Sequence, residues 1–352
     1  MMIVRAVAPS DLDALVGLAR EAGSGMTTFK ADREMLARRL EIARASFAGT
    51  AAATDADYVF VLEDLASGRV AGISAIKGAV GLDTAFYNYR LETVIHSSSE
   101  LGLFTRMQTL HMSNDMTGAT ELCSLFLHPH YRSGCNGRLL SKARLLFIAQ
   151  FPGLFGERVF AEMRGFQDAA GNVPFYQAVG RHFFKIPFDE ADNLTACGRK
   201  SFIGELMPRQ PLYVAYLPAA ARAAIATVHA STAPARRLLE QEGMAFAGLI
   251  DIFDAGPVLE TRLLQLRVMC ESRLQELVPG PVAPAGSIAD TLVSNLERED
   301  FRVLAAAAAE NDAPVPLPAA ALRALGLDFG GLARTYSIAP ARSAIPPQGN
   351  AL

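Results

Sequence analysis

Short β-prone and helical runs alternate from the first residues of the chain. Ile3–Val7 reads as a strand, after which Leu12, Leu15, Val16 and Ala19 recur on one helical face. Ser10 stands at the expected N-cap, with Asp13 three residues on in the manner of a capping box. Gly23–Thr28 (GSGMTT) predicts a loop, and Met35, Leu36, Leu40 and Ile42 predict a second helix. Tyr58–Glu63 and Val70–Ile76 are β-rich and flank the turn-forming Ala66–Arg69, the pattern of a hairpin. Tyr89–His96 and Leu110–Ser113 add two strands. Then come a strand at Glu121–Leu127, a loop at Pro129–Asn136, a helix from Gly137 to about Gln150, and a strand at Val159–Met163. The order β-α-α-β-β-β-β-α-β predicts an α/β (α+β) fold with a mixed, mainly antiparallel sheet flanked by helices.

Beyond Gly171, Pro174–Phe184 (PFYQAVGRHFF) and Ala235–Phe246 (ARRLLEQEGMAF) both read as a short helix ending at a glycine and leading into an apolar strand. The pair suggests a partial second repeat of one unit. Val278–Ser287 (VPGPVAPAGS) is the clearest linker signal. Leu292–Ser294, Phe301–Ala305 and Ala333–Ser337 predict strands, with a helix near Ala319–Leu325. The expected organisation is a large α/β region over residues 1–277, a linker over 278–287, a small β-rich C-terminal subdomain over 288–340 and a flexible tail over 341–352.

Composition narrows the class. The chain is 51% apolar and 20% charged, as globular chains are, and a net charge of −3 gives no field that would draw nucleic acid or a membrane surface. An anionic ligand would need a local site. Cys123, Cys135, Cys197 and Cys270 form no C-x-x-C pair, which points to reduced thiols and a cytoplasmic setting. The start MMIVRAVAPSDLDAL lacks the pattern of a signal peptide, and no apolar run reaches the ~18 residues of a membrane-spanning helix.

Residues 121–147 (ELCSLFLHPHYRSGCNGRLLSKARLLF) can make such a local site. A strand leads into a loop with two glycines, and the loop opens a helix whose first N–H groups have no intrahelical partner and sit at the positive end of the helix dipole. That end suits a pyrophosphate. Gly137 would let the backbone approach it, and Arg132 would offer paired donors. Leu139, Leu140, Ala143, Leu146 and Phe147 would bury one face of the helix on the sheet. The same pattern also fits an ordinary strand–loop–helix connection. It is neither an ATP-binding phosphate loop nor a dinucleotide fingerprint.

The spacing Arg-x-x-x-x-Gly resembles the coenzyme A loop of GNAT-type N-acyltransferases, usually Gln/Arg-x-x-Gly-x-Gly/Ala. Arg132 fills the first place and Gly137 the last, while Cys135 replaces the middle glycine and Gly134 stands one position earlier. Either the loop shifts register by one or a small side chain is tolerated there. Longer segments are more specific. Ser113–Pro129, Asn136–Phe147, Ala161–Gly165, Gly204–Tyr213, Val228–Met244 and Ile250–Glu260, with Ala71–Ile76 and Phe86–Arg90, closely resemble arginine N-succinyltransferases. They run in order over residues 1 to about 275.

The resemblance implies a GNAT-type sheet and transfer of a succinyl group from succinyl-CoA to the α-amine of L-arginine, the first step of arginine catabolism by the succinyltransferase pathway. It implies succinyl-CoA as co-substrate and no tightly bound cofactor. It places Leu125 against succinyl-CoA, with Leu127 on the same strand holding the pantetheine arm and Arg132 and Gly137 around the pyrophosphate. It makes His229 a proton donor, although Ala226–Ala230 (ATVHA) departs from the family's Gly-Gln-Val-His-Pro. An imidazole suits proton transfer near neutral pH, but a histidine at a helix start is commonly a cap.

His128 and His130 lack any metal-binding cluster pattern, so no metal is expected. Cys123 and Cys135 leave an acyl-cysteine route open beside direct transfer. For the guanidinium, Glu121, Glu162, Asp251, Asp254 and Glu260 are candidates, and Arg90 and Arg164 for the α-carboxylate, with none singled out. Two alternatives stand beside arginine succinylation: an ornithine-preferring enzyme, and a weakly catalytic CoA-binding subunit of a two-chain enzyme. The assembly is expected to be a homo-oligomer or a paired subunit, with no nucleic acid or membrane partner.

Overall fold

The computed structural model describes residues 1–23, 26–281, 289–307 and 314–339. The first half follows the predicted order: β1 (Met2–Ala6), α1 (Leu12–Ala22), α2 (Arg33–Ala48), β2 (Asp57–Asp64), β3 (Arg69–Lys77), β4 (Asn88–Ser98), β5 (Leu103–Ser113), β6 (Thr120–Leu127), α3 (Asn136–Gln150) and β7 (Arg158–Glu162). β4 and β5 are longer than their periodicity suggested. They form a ribbon paired from Asn88–Ser113 out to Ser98–Leu103, and its outer part is largely exposed, so no alternation marks it. The cap before α1 is Asp11 rather than Ser10. Its Oδ2 accepts from the Ala8 N–H and from Arg5 Nη1, each at 2.8 Å.

The second half contains α4 (Pro174–Ala178), α5 (Gly180–Phe184), α6 (Phe188–Ala196), α7 (Ser201–Leu206), β8 (Leu212–Tyr213), α8 (Ala219–Ala224), α9 (Ala233–Glu240), β9 (Ala245–Asp251), β10 (Pro257–Arg262) and α10 (Arg267–Glu271). The expected helix–glycine–strand unit is present once. α9 leads through Gly243, at φ 87°, into β9. Gly180 instead opens α5, so the two segments are not copies of one unit. The apolar residues after it are aromatic packing: Phe184 contacts Tyr176, Phe202 and Phe253.

The remaining elements are β11 (Arg273–Pro279), β12 (Ala289–Ser294), β13 (Arg302–Ala307), β14 (Val315–Leu317), α11 (Ala319–Leu325) and β15 (Leu332–Ser337). Of the expected linker, Val278 and Pro279 lie in β11, and 282–287 fall outside the described residues, as does the expected tail over 341–352. Among the described residues the strands form one sheet in the order β14-β11-β15-β12-β13-β1-β2-β3-β6-β7-β10-β9-β4-β5-β8. β13 pairs with β1 through Ile3–Leu304, so the C-terminal strands extend the main sheet. Pairing is antiparallel except at β6–β7 and β11–β14.

α3 covers one face, packing Leu139, Leu140, Leu146 and Phe147 into the main core, while α1 and much of α2 cover the other. The helix was expected to keep a polar face in solvent, yet every residue from Leu139 to Ala149 is buried. Lys142 pairs with Glu242 at 2.5 Å, and the Tyr336 hydroxyl on β15 donates to the same carboxylate at 2.6 Å. Buried charges need such partners. This cluster ties the loop after α9 and the C-terminal strands to the back of α3.

Candidate active site

β6 and β7 are registered only at Thr120–Val159 and Glu121–Phe160, and beyond those pairs they part. β6 also bulges. Its register against β3 shifts between Ile73 and Ala75, and Ser124 takes a left-handed φ of 52°. That conformation is costly for a side-chain-bearing residue and is held from outside the strand. Arg39 Nη1 donates to Ser124 Oγ, which in turn donates to Thr28 Oγ1, both at 2.9 Å. A cavity of about 680 Å³ opens where the strands part, lined by Leu125, Leu127, Arg132 and Gly137, the four positions expected to face coenzyme A.

One end of the cavity is basic. The N-terminus of α3 faces it, with Arg132 and Arg138 beside it. Arg132 Nε donates to Leu127 O at 3.0 Å, and its guanidinium lies over Phe126 at 5.9 Å. Gly134 is the left-handed residue of the loop (φ 56°), while Cys135 has φ −102°. The loop's glycine requirement has therefore moved one position earlier, and a side chain at 135 is accommodated. A Cβ on Gly137 would meet nothing nearer than Leu127 Cδ2 at 3.9 Å. Arg138 was missed in the sequence, although its place in the helix's first turn could have marked it.

The other end is acidic. Glu121, Glu162, Asp251 and Asp254 line it, together with Arg164. Glu260 lies apart, paired with Arg158, and Arg90 is paired with Asp115. Asp254 accepts from the Gly165 and Gly256 N–H groups, and Asp251 from those of Phe253 and Asp254. Burial, reinforced by Asp251 and Glu121, pushes the Glu162 carboxyl well above the usual range. Burial also raises Glu121 and Asp251.

Asp57 shows the opposite balance. Burial works against its charge, but Arg39 at 2.8 Å and Lys77 at 3.3 Å outweigh it and hold the carboxyl down at about 2. Because the folded value lies below the unfolded one, this carboxylate stabilises the fold above about pH 4, by about 2 kcal/mol, and the contribution is lost as pH falls toward about 2. Asp57→Asn should therefore lose about 1 kcal/mol less than the parent between about pH 6 and about pH 3 in urea unfolding. Equal losses would contradict the pairing.

His229 is half-buried and is not itself part of the cavity wall, but Ser231 and Thr232 are. Its N–H donates to Arg164 O at 2.8 Å, fixing the turn to the end of β7. Its ring does cap the turn: the Ser231 N–H donates to Nδ1 at 3.2 Å, and Ser231 Oγ lies 2.7 Å from the same atom. A neutral ring must then carry its proton on Nε2. Burial, with Arg164, lowers its pKa. Cys123 and Cys135 are poor nucleophiles. Burial raises Cys123 to about 11 and also raises Cys135, so neither supplies the thiolate an acyl-enzyme would need.

A bulged strand parting from its parallel neighbour, followed by a glycine loop and a helix N-terminus at one cavity, is the arrangement expected of an acyl-CoA-dependent transferase. Comparison with known proteins places the chain among the acyltransferases. The model of the family described as "Arginine N-succinyltransferase beta subunit" matches residues 2–268. The arginine N-succinyltransferase subunit beta of Pseudomonas aeruginosa is 50% identical, covering 87% of this chain and 89% of its own. The arginine N-succinyltransferase of Photorhabdus laumondii is 42% identical over 97% and 99%. Among solved structures, arginine/ornithine succinyltransferase subunit AI from P. aeruginosa superposes with a TM-score of 0.87 at 32% identity, covering 96% and 99%. The chain belongs to the arginine N-succinyltransferase family.

Proposed function

We propose that this chain transfers the succinyl group of succinyl-CoA to the α-amine of L-arginine, giving N2-succinyl-L-arginine and free CoA, the first step of arginine catabolism by the succinyltransferase pathway. The observation that carries the reading is a single cavity with a basic end and an acidic end, in a chain 50% identical to a named arginine N-succinyltransferase subunit. Succinyl-CoA, a co-substrate rather than a resident cofactor, would lay its pyrophosphate on α3 between Arg132 and Gly137. Its pantetheine arm would run along β6 past Leu127 and Leu125, and the thioester would sit where β6 and β7 part. The arginine side chain would extend toward the acidic end. The neutral α-amine would attack the thioester carbonyl, the protonated His229 ring would give its Nε2 proton to the sulfur as the C–S bond breaks, and the proton shed by the new amide nitrogen would return to the ring through solvent.

Free cysteines fit a cytoplasmic reaction. Two P. aeruginosa relatives are named as subunits, which favours a paired assembly as a second level of organisation. Nα-acetyl-L-arginine keeps the guanidinium but blocks the amine. It should inhibit competitively and release no thiol from succinyl-CoA. Thiol release with it at the rate seen with arginine would move the acyl group to another atom and overturn the reading.

A further inference from the structure

The acidic end holds two kinds of carboxylate. Those of Asp251 and Asp254 are engaged by main-chain N–H groups of the loop after β9 and, for Asp254, of Gly165 after β7, and so have a structural task. Glu121 does not. It is only 6% exposed and lines the cavity, yet among the described residues its carboxylate accepts no hydrogen bond and makes no ion pair. Glu162 has half a partner: Oε1 accepts from Asn88 Nδ2 at 2.7 Å, and Oε2 accepts nothing among the described residues. Leaving a buried carboxylate unpaired is expensive.

The two glutamates are neighbours by register. Glu121 on β6 stands opposite Phe160 on β7, and Glu162 lies two residues beyond Phe160, so both side chains project from the same face. That face is opposite α3, since Leu122, Ala161 and Met163 pack in the α3 core. Of the nearby cations, Arg164 makes no ion pair with either glutamate among the described residues and donates from Nη2 to Gln167 Oε1 at 2.6 Å, and the others are committed elsewhere. Lys77 and Arg39 pair with Asp57, and Lys200 lies over the Phe86 ring at 5.6 Å.

We propose that Glu121 and Glu162 form a two-carboxylate clamp for the guanidinium of the acceptor, and that this clamp sets the preference for arginine over ornithine. The inference rests on the reading of the acceptor as arginine. A guanidinium presents its donors in a planar fork that can bridge two carboxylates on adjacent strands, and it is more weakly hydrated than an ammonium. It suits a buried pair. An ornithine ammonium is a compact, strongly hydrated charge that gives up more water to reach the same place. Burial and the Asp251 and Glu121 charges favour the protonated form of Glu162, with Lys200 opposing. A cation in the clamp reverses that balance, so arginine binding should release protons.

The test uses Glu121→Gln and Glu162→Gln in the full chain. Each should raise the KM for arginine about 30-fold or more, with the succinyl-CoA KM within about threefold. Citrulline, the neutral isostere, should be a far poorer acceptor than arginine for the parent protein, and the arginine-to-citrulline ratio of kcat/KM should fall at least about tenfold in each variant. Unliganded Glu162→Gln should melt close to the parent near neutral pH, because the amide has the shape of the protonated carboxyl and keeps an oxygen for Asn88 Nδ2. An unchanged arginine-to-citrulline ratio with a lowered Tm would make these residues structural and overturn the clamp. Equal kcat/KM for ornithine and arginine in the parent would overturn the selectivity. Calorimetric titration of arginine into parent and variants separates this from the reaction itself. Binding at least about tenfold weaker in the variants upholds the clamp even if no succinyl transfer occurs, and equal binding removes it.

Discussion

Gly137→Val should leave the protein as stable as the parent and raise the KM for succinyl-CoA about a hundredfold, a loss of about 3 kcal/mol in binding. In the folded protein a Cβ at this position has open space, with Leu127 Cδ2 at 3.9 Å as its nearest neighbour. Gly137 is also the second residue of α3, where valine has the better helix propensity. Nothing in packing therefore asks for glycine. In the proposed binding mode, glycine is needed because a phosphate would be drawn to the unpaired N–H groups of the helix's first turn, from which a branched side chain would hold it away. Thermal melting and succinyl-CoA kinetics check the two halves. An unchanged KM would move the pyrophosphate off α3.

His229→Ala should lower kcat by about 10²–10⁴-fold while the succinyl-CoA KM moves little. Ser231 engages the ring's Nδ1, by its N–H when the ring is neutral and by Oγ as acceptor when it is protonated, which leaves Nε2 as the donor. Its lowered pKa makes the protonated ring a stronger acid, suited to giving its proton to a departing thiolate. The ring adjoins Ser231, which with Thr232 lines the cavity, and catalytic contacts commonly tighten only once substrate is bound. The variant also loses a cap, so a modest fall in Tm is expected in either case and decides nothing. The steady-state rate decides: kcat within about threefold of the parent would reduce His229 to a capping residue.

The half of the fold that frames the cavity was legible because its elements carry clean periods. The β-α-α-β-β-β-β-α-β order and the four positions Leu125, Leu127, Arg132 and Gly137 could be read from strand, loop and helix signals together with the family resemblance. Three features were not legible. The bulge in β6 has no glycine to announce it, because Ser124 is forced into φ 52° by Arg39 and Thr28, residues distant in sequence. The burial of α3 on all sides was hidden because Lys142 and Arg144 look like surface residues until their partners are known. Lys142 meets Glu242, and Arg144 donates to the Cys123 carbonyl at 3.2 Å. The placing of Glu121 and Glu162 on one face of neighbouring strands depends on the register of two strands separated by α3, which no local pattern records.

The central claim is that one chain holds both substrates in one polarised cavity. The most direct measurement is thiol release by the purified chain alone, given succinyl-CoA and L-arginine at saturating concentrations, with the product identified by mass spectrometry. Release that depends on arginine, at about one turnover per second or faster and matched by N2-succinylarginine, is the predicted result. No arginine-dependent release would contradict it.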